Sequence, residues 1–153
     1  MVIKIRKASL KDFGEIAELA KETIEFHSKY EPELYNYKNS GKFYSKHLKD
    51  AIKDKDILFF VAQDGEKICG YIYGLASAWY PGYLIGNIID LIVGKNHRGK
   101  GMGKALLEKM ILSLKKKGCK QVEIQVEVEN KNALGLYESL GFRKWKYHLK
   151  KRL

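Results

Sequence analysis

Long apolar runs are missing from this 153-residue chain, and none approaches the ~18 residues that a membrane span requires. The N-terminal stretch Met1-Val2-Ile3-Lys4-Ile5-Arg6 alternates like a strand and lacks the apolar segment of a signal peptide. A cytoplasmic location is therefore expected. Cysteine is scarce too: Cys69 lies in an apolar run, Cys119 follows a helix-ending glycine, and no Cys-x-x-Cys spacing occurs. This pattern predicts two reduced thiols in or near a core and no disulfide frame. The four histidines, His27, His47, His97 and His148, are scattered without metal-ligand spacing, so no metal is expected. Repeats, linkers and low-complexity segments are also absent, and 1–153 reads as one domain. A chain of this length buries roughly 70% of its unfolded surface without staples.

What is present argues against disorder: 45% of residues are hydrophobic and 12% aromatic. Twenty-nine Lys and Arg against 18 Asp and Glu give a net charge of +11, which favours anionic partners in general. The lysines are interleaved with glutamates along the whole chain and form no block. A Lys-rich solvated surface accounts for that distribution, and no nucleic-acid-binding motif accompanies it.

Periodicity divides the chain into alternating elements. A strand at Ile3–Lys7 leads to Ser9-Leu10-Lys11-Asp12, where a serine precedes a carboxylate by three residues as in a capping box. Phe13, Ile16, Ala17, Leu19, Ala20 and Ile24 then mark a helix that fades before Pro32. An aromatic-rich segment with Leu34, Tyr35 and Tyr37 precedes a second helix over 40–53. Ile57–Ala62 and Lys67–Leu75 form a hairpin about Asp64-Gly65. The stretch 76–86 reads as a loop or a bent strand end, and Asn87–Val93 as a buried strand. A helix carrying Leu106, Leu107, Met110, Ile111 and Leu114 ends at Lys115-Lys116-Lys117-Gly118. Val122–Val128 alternates as a strand, Ala133–Leu140 forms a short helix, and Phe142–Leu149 is expected as a final strand. The whole reads as an α/β unit with a mixed sheet.

The segment Arg98-Gly99-Lys100-Gly101-Met102-Gly103-Lys104 joins a buried strand to a helix. Glycines let the backbone approach an anion, the helix start offers free N–H groups, and three cations surround the same point. Gly-Lys-Ser/Thr and Gly-x-Gly-x-x-Gly are both lacking, so neither a Walker loop nor a dinucleotide fingerprint is present. Taken alone, the segment is a phosphate cradle or a tight packing turn.

Arg98-x-x-Gly101-x-Gly103 resembles the Arg/Gln-x-x-Gly-x-Gly/Ala signature of the GNAT superfamily of N-acetyltransferases. Asn130-Lys131-Asn132-Ala133-Leu134-Gly135-Leu136-Tyr137-Glu138-Ser139-Leu140-Gly141-Phe142 resembles that family's second motif, in the expected order. The likeness runs from about residue 3 to 145 and is weakest over 25–56. It implies an α/β (α+β) fold with a mixed central sheet flanked by helices, and a splayed strand pair forming the acetyl-CoA cleft.

It also implies roles for individual residues. Amides of Arg98 to Lys104 would hold the coenzyme A pyrophosphate. The main chain of Leu91, Ile92 and Val93 would pair with the pantetheine arm, and Asn130 would hydrogen-bond it. Asn130 also suits the N-cap of the following helix. Tyr137 matches the tyrosine that protonates the departing thiolate, although its spacing equally suits a core residue. Many relatives carry a Glu-Asp pair on the strand before the loop, where this chain has Ile89-Asp90. Asp90 is thus a base, a binder of the substrate amine, or a structural acid, with Glu123, Glu127 and Glu129 as further candidates.

The implied activity is transfer of an acetyl group from acetyl-CoA to a primary amine, either a small amine such as a polyamine or amino-sugar, or a protein amino group. A catalytically silent acyl-CoA sensor and a basic nucleic-acid-binding domain are the competing readings. A homodimer is compatible with the sequence.

Overall fold

The computed structural model describes residues 3–33 and 35–153; Met1, Val2 and Leu34, with the side chains of Tyr37, Asn39 and Ser40, lie outside the described residues. Among the described residues five strands follow one another in chain order across a single sheet: β1 (Ile3–Lys7), β2 (Ile57–Asp64), β3 (Lys67–Tyr80), β4 (Tyr83–Val93) and β5 (Gln121–Ile124). The first four are antiparallel neighbours, and β5 runs parallel to β4. Helices α1 (Phe13–Ser28) and α2 (Tyr37–Lys53) cover one face, while α3 (Met102–Lys116) and α4 (Lys131–Ser139) cover the other. No helix among the described residues is long and apolar enough to cross a membrane.

Because both faces are covered, β2 is apolar on both. Phe59 and Val61 pack with Ile16, Ala20, Leu48 and Ala51, whereas Phe60 and Ala62 pack with Met102, Leu106, Leu107 and Met110. An uninterrupted apolar run, without alternation, is the expected signature of such a strand. Beside β1, the Arg6 guanidinium forks onto Asp12 at 2.8 and 2.7 Å. The same carboxylate accepts from the Ser9 N–H at 2.8 Å and the Ser9 hydroxyl at 3.0 Å. Asp12 is only 6% exposed, and these donors justify burying its charge.

Four sequence expectations are corrected. Residues 76–86 are a continuation of the β3–β4 hairpin, in which Tyr80 faces Tyr83. Pro81-Gly82 turns the chain in two residues, with Gly82 at φ +80°, the backbone that a residue after proline takes in a type II turn. The strand expected over Val122–Val128 stops at Ile124, because β4 accepts it only from Ile85 to Ile88. The tail Phe142–Leu149 forms no strand: the Phe142 N–H donates to Tyr137 O, and no described residue after it makes a backbone hydrogen bond. The second helix also starts earlier than 40, where the Asn36 side chain caps it by accepting from the Lys38 N–H at 3.0 Å.

Candidate active site

The site begins with a slip in the β3–β4 ladder. Tyr73 faces Asp90, but the next residue, Gly74, faces Ile88, so Ile89 is an extra residue on β4. Such a bulge turns the strand and ends regular pairing. A Cβ on Gly74 would stand 2.4 Å from Asn87 O, so only glycine admits this close approach. Beyond the bulge β4 continues to Val93 with no strand among the described residues on its outer side, because β5 has ended at the level of Ile88. The outer side of Leu91, Ile92 and Val93 therefore pairs with no strand among the described residues. Such an edge can receive an extended amide-bearing chain as if it were an added strand.

At the end of that edge lies the glycine loop. Gly99 and Gly101 have φ of +72° and +83°, and Gly101 is the N-cap of α3. A Cβ at either position would meet nothing within 4 Å, so a side chain there would stand in open space. Met102 is buried, and Gly103 packs closely beneath Leu136 of α4. The cations brace the loop: Arg98 Nε donates to Val93 O at 2.9 Å and its guanidinium lies 3.6 Å from Glu22. Lys100 Nζ donates to Asn96 O at 2.9 Å, and Lys104 lies 3.9 Å from Glu108. The loop amides, the α3 dipole and the basic rim fit an anionic diphosphate, and the free β4 edge fits an amide chain leading away from it.

The bulge aims Asp90 at the face covered by α1 and α2. Its carboxylate accepts from Tyr44 Oη of α2 and, at 3.3 Å, from Tyr71 Oη of β3. Burial pushes the Asp90 carboxyl up from the ordinary range, while the two hydroxyl donors and His27 pull it back. Burial, with the Asp90 charge second, raises all three neighbouring phenols, Tyr44, Tyr71 and Tyr73, so they remain protonated donors. A pocket of about 300 Å³ opens over Asp90, with Tyr44 and Tyr73 deep in it and His27, Tyr35 and Phe43 along its sides. His27 Nδ1 lies 2.7 Å from Glu127 and its ring stacks on Tyr35.

Tyr137 comes from the opposite face. It is 7% exposed and packs among Leu106, Leu107 and Met110 with Phe142 beside its ring. Burial, then the charges of Asp90 and Glu127, push its phenol up to about 12. Its hydroxyl makes no hydrogen bond among the described residues, nor is it among their unpartnered buried atoms. Asn130 caps α4, its Oδ1 accepting from the Ala133 N–H at 3.2 Å, which leaves its amide nitrogen for another partner. Of the other acids, Glu127 reaches the pocket through His27, whereas Glu123 accepts from Gln121 Nε2 at 2.9 Å.

Asp90, the β4 edge and the glycine loop thus follow one another from β4 into α3, and Tyr137 on the opposite face is near enough for the Asp90 charge to act on its phenol. Tyr71 and Tyr73 escaped the sequence reading. The available signal was Tyr71-x-Tyr73 in an apolar strand, which puts two hydroxyls on one face opposite the one acidic residue of β4. No group of His, Cys, Asp and Glu among the described residues could hold a metal ion.

Comparison with known proteins gives the family. An uncharacterized N-acetyltransferase of Methanocaldococcus jannaschii is 30% identical over 144 residues, covering 90% of this chain and 59% of that protein. The chain therefore spans less than two thirds of that relative. An N-alpha-acetyltransferase of Sulfurisphaera tokodaii is 28% identical over 151 residues, 94% of this chain and 81% of the relative. Among solved structures, the PaiA N-acetyltransferase of Thermoplasma acidophilum in complex with coenzyme A matches with a TM-score of 0.79. Its identity is 26%, with 94% of this chain and 91% of that one covered. The model of the acetyltransferase (GNAT) family matches residues 16–142, a span that takes in the β4 edge, the capped helix and α4 together, and the chain belongs to this family.

Proposed function

We propose that this chain transfers the acetyl group of acetyl-CoA to a primary amine by direct attack on the thioester. The observation that carries the reading is the departure of β4 from β5 at Ile88, with Asp90 on one face of the gap and Tyr137 on the other. Acetyl-CoA would supply the activated acyl group. The amides of Gly99 to Gly103 and the α3 N-terminus would hold its pyrophosphate, and the Leu91–Val93 main chain and the Asn130 amide its pantetheine arm.

An amine must lose its proton before it attacks. Asp90 is suited to take it, because burial raises the basicity of its carboxylate. Tyr44 and Tyr71 would keep the carboxylate oriented toward the pocket. On the far side, a phenol held near 12 stays protonated at neutral pH and can donate to a departing thiolate. The two faces of the cleft thereby divide removal and delivery of the proton.

The acceptor would enter through the pocket over Asp90. Its volume of about 300 Å³ suits one small amine or the first residue of a peptide. The name of the Sulfurisphaera relative favours an α-amino group, so peptides with free N-termini belong beside polyamines, aminoglycosides and amino acids in the assay. Thiol release from acetyl-CoA is followed against that panel. Turnover of at least one amine is expected, with a large loss in Tyr137→Phe. Failure to bind acetyl-CoA overturns the reading, and binding without turnover of any amine turns it into an acyl-CoA sensor.

A further inference from the structure

Helix α1 carries Glu15, Leu19 and Glu22 at helical spacing, which sets them in one row on its surface. The row lies over the end of the sheet where β3 begins and β4 stops. Glu15 Oε2 accepts from the Ile68 N–H of β3 at 2.9 Å, and Glu22 Oε2 accepts from the Lys95 N–H just past β4 at 3.0 Å. Between them Leu19 comes so near to Gly94 that a Cβ there would stand 2.9 Å from its Cδ2. Two carboxylates of one helix thus hold main-chain amides of two other segments.

The two bonds differ in what depends on them. Ile68 is buried and faces Gln63 in the β2–β3 ladder, so the sheet already fixes its place. Lys95 lies beyond the sheet, whose last hold on the chain is the Gly94 N–H donating to Cys69 O at 2.9 Å. Residues Lys95–His97 form a single 3₁₀ turn, and the first amide of such a turn has no partner inside it. Gly94 has no side chain with which to cap that amide, and Glu22 takes the part from another element. From this turn the chain passes through Arg98 straight to Gly99, Gly101 and the start of α3.

Glu22 has a second partner in Arg98, whose guanidinium lies 3.6 Å away. That pair is long and half-exposed, and pairs of this kind contribute little. A main-chain amide on a carboxylate is a charge-assisted bond, roughly twice as strong as a neutral one. The Lys95 amide is therefore the contact that matters.

We propose that Glu22 is a positioning residue for the cofactor, fixing through the Lys95 amide the turn that aims the glycine loop at the pyrophosphate. The assignment rests on the reading of that loop as the coenzyme A site. A carboxylate near the loop repels a diphosphate, so Glu22 favours binding only by holding the backbone. Without it the competent loop is populated for part of the time, and affinity falls by that fraction. Thr23, Ile24 and His27 of the same helix line the acceptor pocket, so a general displacement of α1 would disturb the amine as well.

Calorimetry with coenzyme A on the full chain tests the assignment. Glu22→Ala should bind about tenfold more weakly than the parent. With an amine that the parent turns over, KM for acetyl-CoA should rise in parallel, while kcat and the amine KM stay within about twofold. Glu22→Gln keeps an oxygen for the Lys95 N–H and loses only the exposed ion pair, so its affinity should stay within about threefold of the parent's. Glu15→Ala removes the matched bond to Ile68 and should lower the melting temperature comparably without changing affinity. Unchanged affinity in Glu22→Ala overturns the proposal. So does an equal loss in Glu22→Gln, which would make the charge responsible, or in Glu15→Ala, which would make stability responsible. A parent that binds no coenzyme A overturns the reading of the loop itself, and this assignment with it.

Discussion

Asp90 stands opposite Tyr73 in the β3–β4 ladder, at the last pair before the register slips past Ile89. Without the slip, Asp90 would be an ordinary ladder residue in an apolar strand. With it, the carboxylate reaches Tyr44 and Tyr71 at the floor of the pocket. Asp90→Asn keeps the shape but removes the proton acceptor, and kcat/KM should fall by about 10²-fold or more. Tyr44→Phe tests the tuning. Tyr44 holds the Asp90 carboxyl down against burial, so removing that donor raises the carboxyl's pKa, and the acidic limb of kcat/KM against pH should move to higher pH. An unmoved limb would show that the limb reports another group.

Tyr137 carries the complementary test. Its hydroxyl has no hydrogen bond among the described residues to lose, so Tyr137→Phe should leave the melting temperature unchanged. Loss of a proton donor to the leaving group should reduce kcat by about 10²- to 10⁴-fold. The KM for acetyl-CoA should change little, because the binding groups belong to the β4 edge and the glycine loop. A kcat within a few-fold of the parent would make the tyrosine a packing residue, in keeping with its place in the α3–α4 core.

The loop from Arg98 to Lys104 was legible because its determinants are local: glycines that take positive φ and a helix start immediately after. The stretch 76–86, expected as a loop or a bent strand end, is instead two paired strands joined by the two-residue turn Pro81-Gly82, because a proline followed by a glycine suits a turn within a hairpin as well as a loop. The end of β5 was not legible from β5 at all. Val126 and Val128 continue its alternation, and what stops the strand is the bulge at Ile89 on its neighbour. Asp90 was visible as an acid in an apolar strand, but its partners arrive from α2 and β3, and that convergence exists only after packing. The tail has a strand's pattern without a strand's pairing, which depends on an edge remote in the chain.

Gly101→Val separates backbone strain from ligand exclusion. At φ +83° any β-branched residue costs about 1–2 kcal/mol or more, so some stability is lost whatever the loop binds. The added side chain also projects into open space beside the N-terminus of α3, where the pyrophosphate is proposed to lie, and coenzyme A binding by calorimetry should be abolished. Gly65→Val is the matched control. Gly65 has φ +61°, with equally open surroundings at the β2–β3 turn. It should lose comparable stability and keep its affinity. Equal loss of binding in both variants would attribute the effect to stability alone.

The Arg6–Asp12 fork yields a prediction in acid. The guanidinium first, then the Ser9 donors against the penalty of burial, hold the Asp12 carboxyl at about 2. An Asp whose folded pKa is depressed stabilises the fold above its unfolded value, and this contribution is lost as pH falls through the folded one. From 3.8 to about 2 the shift corresponds to about 2 kcal/mol. Urea denaturation of the parent and of Asp12→Asn should therefore differ by about that amount near neutral pH. The difference should begin to narrow as pH drops below 3.8 and be largely gone below about 2. Comparing the two proteins at each pH cancels the titration of every other carboxylate. A constant difference across that window would mean that Asp12 contributes through packing and not through its charge.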